Sequence, residues 1–292
     1  MKFEGIYTPA VTPFGPDNEI NRKAFAEVLE SLIEARVHGI IIGGSTGEYY
    51  AQTAQERFEL AAYAKDVLGG QLPLIVGTGA TRTEDAIEYA KAAKSIGADA
   101  ILVTTPPYAL PIDRAADLPI MLYNYPARMG VTMGEEYFAR VGKSKNVVAI
   151  KESSGDMSRV HLLAREFPHI SLSCGWDDQA LEFFAWGARS WVCAGSNFLP
   201  AEHVALYEAC VLEKNFDKGR GIMTAMLPLM HFLDGGKFVQ SIKFGCELNG
   251  FNVGPVRAPL GPLNSEEQQT FQTVIANLKR AVAQITSGAN HA

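Results

Sequence analysis

The chemistry this sequence could carry centres on Lys151, in the run Val147-Val148-Ala149-Ile150-Lys151-Glu152-Ser153-Ser154-Gly155. Four apolar, mostly β-branched residues read as a buried strand. A lysine follows where that strand should end, ahead of a Ser-Ser-Gly turn. A lysine kept from water is costly unless paired or neutralised, and its uncharged amine is a nucleophile toward a ketone. Taken alone, it could equally be a strand-end lysine that snorkels to water. Three other stretches shift that balance. Gly43-Gly44-Ser45-Thr46-Gly47-Glu48 offers backbone N–H groups and two hydroxyls to an anion, or is a tight turn that needs glycine for its dihedrals. Thr104-Thr105-Pro106-Pro107-Tyr108 supplies a phenol. Tyr123-Asn124-Tyr125-Pro126-Ala127-Arg128-Met129-Gly130 supplies another phenol and a guanidinium, or is a proline turn with a surface arginine packed beside Tyr125. Gathered at one site, these groups are chemically coherent. The lysine forms an imine, a tyrosine relays protons to the carbinolamine, a hydroxyl orients that tyrosine, and the arginine holds a second anionic group.

The elements that must gather them are legible as alternating patterns. Short apolar runs predict strands over 6–11, 39–42, 72–76, 100–103, 120–123, 147–150, 170–173 and 191–194. Between them, helical periodicity covers 22–36, 54–67, 84–96, 135–141, 157–166, 179–186 and 200–213. Eight β/α repeats point to an α/β (β/α)8 TIM barrel, whose functional residues sit at the C-terminal ends of the strands. A doubly wound sheet is the alternative, but no Gly-x-Gly-x-x-Gly follows the first strand. Beyond residue 215 the alternation stops, and three helical patterns follow over 216–233, 237–248 and 265–285. The expected organisation is a catalytic barrel over 1–215 and a C-terminal helical region over 216–292. The crossover between the fourth and fifth strands is the exception. It is short and proline-broken where a full helix is expected. Either the barrel has lost most of its fourth helix or residues are missing between Pro111 and Ile112. The second is favoured, because a barrel without one outer helix would expose a hydrophobic flank.

Composition narrows the function classes. The 292 residues are 47% hydrophobic, enough for a sizeable core. The net charge of -6 and the scattered basic residues leave no footprint for nucleic acid or for an anionic membrane surface. No apolar run approaches the roughly 18 residues of a membrane span, and Met1-Lys2-Phe3-Glu4-Gly5 has no apolar signal core. Cys174, Cys193, Cys210 and Cys246 form no Cys-x-x-Cys pair and read as reduced thiols of a cytoplasmic protein. The histidines are dispersed, so neither a metal site nor a cofactor is expected.

The motifs Gly-Ser-Thr-Gly-Glu, Tyr-Asn-x-Pro-x-Arg-x-Gly and Ile-Lys-Glu-Ser-Ser-Gly, in this order and at these strand ends, resemble the dihydrodipicolinate synthase/N-acetylneuraminate lyase family. The resemblance runs from Tyr7-Thr8-Pro9-Ala10-Val11-Thr12-Pro13-Phe14 to the C-terminal helices. It implies a class I aldolase-type lyase acting on pyruvate or a related 2-oxo acid, built as a homotetramer from a dimer of dimers. It further implies that Lys151 is the Schiff-base lysine and Tyr123 the proton relay, with Ser45 as relay hydroxyl. Ser45 and Thr46 would bind the 2-oxo acid carboxylate, with Gly47 in the same turn. Tyr108 would reach into the neighbouring subunit's site, Arg128 would hold the carboxylate of an aldehyde partner, and Cys193 would lie among the substrate-binding residues. Two departures stand out. Tyr49-Tyr50 follow the turn where synthases carry a small residue, and Ala54, Arg57 and Pro107 stand near positions that line the lysine-feedback site in many bacterial members. Arg128 and Tyr108 support the first reading, a synthase-like condensation of pyruvate with an anionic aldehyde; the two departures support the alternative, a catabolic aldolase, dehydratase or deaminase of the same family acting on a longer 2-oxo acid. A barrel that only binds a small acid is the remote third reading.

Overall fold

A computed structural model describes residues 1–104 and 116–288. Tyr108 and the crossover at Pro111–Ile112 lie outside the described residues. Eight parallel strands, β1 (Gly5–Pro9), β2 (Gly39–Ile42), β3 (Leu74–Gly77), β4 (Ala100–Thr104), β5 (Ile120–Asn124), β6 (Val147–Glu152), β7 (Ser171–Cys174) and β8 (Ser190–Val192), pair in chain order, and β8 closes on β1. This is the TIM barrel the repeats predict.

Local sequence explains the helices around it. Arg22–Glu34 buries Phe25, Val28, Leu29 and Leu32 at helical spacing, and the Asn21 side chain accepts the Ala24 N–H at its start. Ala54–Leu68 opens on a reciprocal Thr53–Glu56 capping box and stops at left-handed Gly69. The helix expected over 200–213 is α-helical only through Tyr207 and continues as a π turn over Glu208–Leu212.

Side-chain alternation divides the core into two layers. Tyr7, Ile41, Ile75, Leu102, Met121, Ala149 and Val192 fill the barrel interior, with Phe3 among them. Ile6, Ile40, Leu74, Ile101, Leu122, Ile150 and Trp191 pack outward against the helices. One irregularity sets the phase of β6. Ile120 pairs with Val147 but Met121 pairs with Ala149, so Val148 is an extra residue on β6. This bulge turns Ala149, and with it Lys151, toward the barrel interior.

The C-terminal region packs on one flank. Phe216–Asp234 lies against Ser265–Thr286 and against Ala180–Ala185 and Pro200–Tyr207. Phe271 gathers the rings of Phe198, Phe232 and Phe244 at 5.6, 5.1 and 6.0 Å. Phe238–Leu248 reaches the turn after β2. Among the described residues, no helix is long and apolar enough to cross a membrane.

Candidate active site

The lysine sits deeper than its sequence context suggests. The expected strand end at Ile150 is not observed: β6 runs on to Glu152, so Lys151 lies within the strand. Parallel register places Lys151 beside Tyr123 on β5 and Ser173 on β7. Its Nζ lies 4.2 Å from the centroid of the Tyr123 ring, and both side chains are buried. The amine therefore meets the aromatic face within a mostly apolar barrel. Gly175 makes the path for it: a Cβ there would fall 2.6 Å from Lys151 Cγ and 2.8 Å from Cε. The backbone beneath is braced by Glu152, whose carboxylate is buried. It accepts from Asn124 Nδ2 at 2.9 Å, Ser154 N at 2.8 Å and Arg159 Nε at 3.2 Å. Asn124 in turn accepts the Met133 N–H at 3.0 Å, and Arg159 donates to the Met133 carbonyl. The residues that follow the paired side chains, Asn124 after Tyr123 and Glu152 after Lys151, thus brace β5 against β6.

The glycine-hydroxyl segment forms a single 3-10 turn, Ser45–Gly47. Gly43 enters it with φ +75°, and a Cβ on Gly77 would fall 2.3 Å from the Gly43 carbonyl oxygen, so β2 and β3 approach closely through glycines. Ser45 and Thr46 face the barrel mouth. Gly47 does not, and its expected place among the substrate-binding residues is corrected. Its N–H donates to the Gly44 carbonyl, its carbonyl accepts from Thr12 Oγ1 at 2.7 Å, and a Cβ would press on the Ala10 oxygen at 2.9 Å. Glu48 then takes a left-handed conformation, φ 57° and ψ 37°, which costs a non-glycine residue about 1 kcal/mol.

Lys151, Tyr123, Ser45 and Thr46 share one cavity wall with Tyr125, Arg128, Trp176 and Asp177. A larger space of about 360 Å³ opens from it, walled by Tyr49, Tyr50, Tyr125, Leu102 and Phe238. Arg128 lies on Pro126–Met129 at the exposed rim, its guanidinium 4.9 Å from the Tyr125 ring centroid and 5.8 Å from that of Phe238. It both packs beside Tyr125 and faces the cavity. Cys193 is a second correction. β8 turns Val192 and Ala194 to the cavity and Cys193 outward into the layer beneath the helices, where it is fully buried. Burial there pushes its thiol well above the usual range.

Sequence reading missed Asp177. Its carboxyl sits within the cavity wall beside Lys151, accepts Trp191 Nε1–H at 2.8 Å, and is pushed up to about 7 by burial, against the pull of that hydrogen bond and of Lys151. Asp234, from the C-terminal region, lines the same wall, and burial raises its carboxyl too. The run Cys174-Gly175-Trp176-Asp177-Asp178 directly after a strand was the available signal.

The comparisons agree with this geometry. Residues 2–278 match the model of the dihydrodipicolinate synthetase family. A 4-hydroxy-tetrahydrodipicolinate synthase from Exiguobacterium sibiricum is 35% identical over 270 residues, covering 88% of this chain and 92% of the relative. An uncharacterised lyase of the same kind from Pyrobaculum aerophilum is 31% identical, covering 95% of this chain and 99% of the relative. Among solved structures, the 4-hydroxy-tetrahydrodipicolinate synthase of Methylacidiphilum fumariolicum superposes with a TM-score of 0.92 at 31% identity over 98% of this chain and 99% of that one. A prophage protein of the family from E. coli K12, solved in complex with pyruvate, gives 0.90 at 28% identity over 96% and 99%. With a buried lysine on β6, a tyrosine beside it on β5 and a family match along nearly its whole length, this chain belongs to the dihydrodipicolinate synthetase family of class I lyases.

Proposed function

We propose that this enzyme condenses pyruvate, or a related 2-oxo acid, with an anionic aldehyde through an imine on Lys151, as a 4-hydroxy-tetrahydrodipicolinate synthase does. The observation that carries the reading is the Lys151 amine held over the Tyr123 ring, inside the barrel and open to a cavity with Arg128 at its rim. The amine lone pair attacks the ketone carbon of the 2-oxo acid. The carbinolamine oxygen takes a proton from the Tyr123 phenol and leaves as water, giving the imine. The Tyr123 phenolate takes a proton from the methyl carbon, giving an enamine. The enamine carbon attacks the aldehyde carbon, the resulting alkoxide takes that proton from Tyr123, and water adds to the regenerated imine and frees Lys151 as the amine. Ser45 and Thr46 hold the 2-oxo acid carboxylate, Ser45 also serving as the relay hydroxyl, while Arg128 pairs with the carboxylate of the aldehyde. The working unit in this reading is a cytoplasmic homotetramer in which Tyr108 enters the neighbouring subunit's site. Sedimentation at working concentration tests the assembly.

A second reading has its own support. Asp177 and Asp234 face the cavity, and Tyr49 and Tyr50 wall its outer part. Carboxyl groups suit hydroxyls better than a second carboxylate, which favours cleavage or dehydration of a longer hydroxylated 2-oxo acid by the same imine. One experiment separates the readings. Borohydride reduction with pyruvate should add the mass of the reduced adduct to Lys151, and Lys151→Ala should be inactive and unmodified. Turnover is then measured with pyruvate plus aspartate semialdehyde and with a panel of hydroxylated 2-oxo acids. Condensation in the first assay establishes the synthase; turnover confined to the panel establishes the catabolic lyase. An unmodified Lys151 overturns both.

A further inference from the structure

The turn that carries Ser45 and Thr46 is tied to a part of the chain about two hundred residues away. Glu48 ends the turn with its carboxylate fully buried. Its Oε1 lies 2.8 Å from Lys243 Nζ, with the two side chains 0% and 3% exposed, and its Oε2 accepts the Arg257 N–H at 2.8 Å. Lys243 also donates to the Pro255 carbonyl at 2.7 Å and lies 4.3 Å from the centroid of the Phe14 ring. Arg257 grips the segment just beyond the turn, donating to the Ala51 carbonyl at 2.8 Å and to Glu56. Both ends of the stretch 48–51 are therefore held by the C-terminal region.

We propose that Lys243, paired with Glu48, is a positioning residue: the C-terminal region uses the pair to hold Ser45 and Thr46 in the geometry that binds a 2-oxo acid carboxylate. Two features favour positioning over plain stabilisation. A buried ion pair loses much of its attraction to desolvation, so apolar residues of the same volume would stabilise the spot as well. What they could not do is hold Glu48 in the left-handed conformation that closes the turn, where a glutamate stays only if its surroundings fix it. Burial pushes the Lys243 ammonium below the usual lysine range while Glu48 pulls it back.

The inference rests on the imine reading, and the test keeps the two apart. Lys151 is trapped with borohydride over a range of pyruvate concentrations, and the extent is read by intact mass, with a melting curve for each protein. The double variant Glu48→Gln/Lys243→Met removes both charges and keeps the volume. It should be trapped fully at saturating pyruvate, with the half-trapping concentration raised at least tenfold. Leu278→Ala, a buried residue in Ser265–Thr286, serves as a stability control, lowering the melting temperature without moving that concentration. If the double variant does not fold, Glu48→Gln alone carries the test, because its single amide oxygen can face the Arg257 N–H or the Lys243 ammonium but not both; the expected rise is at least threefold. A half-trapping concentration within twofold of wild type, whatever the melting temperature, overturns the proposal. A wild type that is never trapped overturns the imine reading, and this proposal with it.

Discussion

Lys151 and the turn after β2 are each followed by a buried glutamate, and the two glutamates are held in opposite ways. Glu152 follows Lys151, and its partners Asn124 and Arg159 lie 28 and 7 residues away. Glu48 follows the anion turn, and its partners Lys243 and Arg257 lie near the other end of the chain. On the proposed function, the amine that forms the imine is held within adjacent β/α units, while the turn that takes the carboxylate is held from the C-terminal region. Contacts so distant in sequence carry a larger loop-closure cost and form late. In that reading, the half of the site that reacts is held locally and the half that binds is held from a distance.

The largest test of this contrast is Glu152→Ala. It leaves a mostly buried Arg159 without its carboxylate, and breaking a buried pair from one side costs about 3–5 kcal/mol. The melting temperature should fall by roughly 6–15 °C. A fall under about 2 °C would mean that the strand register alone holds the lysine. Next is Tyr123→Phe, which keeps the ring beneath the amine and removes its proton. Turnover should drop about 10²–10⁴-fold while pyruvate affinity changes little. Near-normal turnover would move the relay to another hydroxyl.

A third test uses pH at the neighbouring strand end. The Asp177 carboxyl, raised from 3.8 to about 7, binds its proton more tightly in the folded than in the unfolded chain. The stability this confers is fully present below about pH 4 and is lost as pH rises through about 7. Asp177→Asn should flatten that part of the stability profile by about 1–2 kcal/mol. Urea melts between pH 4 and 8 measure it, and an unchanged slope would place the titration elsewhere. The smallest effect is expected at the exposed rim. Arg128→Lys keeps the charge but loses the planar fork, so KM for an anionic aldehyde should rise about 3–10-fold, with pyruvate trapping unchanged. An equal loss with pyruvate alone would assign Arg128 to the imine site.

The repeat pattern made the barrel and most of its helices legible, because apolar runs and 3.6-residue periodicity are what strand burial and helix packing require. What stayed illegible has physical causes. β6 was read two residues short because Lys151 and Glu152 are polar, and only the tertiary network around Glu152 lets a strand keep them. Cys193 was misplaced because the strand of β8 ends so early that its alternation could not be phased from sequence. Gly47 looked like a ligand residue, yet its missing side chain serves the packing of the turn on Ala10. Lys243 carried no local signal tying it to the site, since its partner Glu48 lies in another part of the chain.

The extra residue at Val148 gives β6 something like a reading frame. Sides of a strand are assigned by odd and even count, so a bulge below the lysine acts as a frameshift that all later residues inherit. Paired evenly, the same residues would set Val148 against Met121, send Lys151 out beneath the helices and bring Ile150 into the cavity, with the composition of the strand unchanged. Removing Val148 would do the opposite: Val147 would still face Ile120 and Ala149 would still face Met121, so Lys151 would keep its place beside Tyr123 in an evenly pleated strand. The face that carries the amine is therefore decided by whether the extra residue is looped out, and not by which side chain stands at 148.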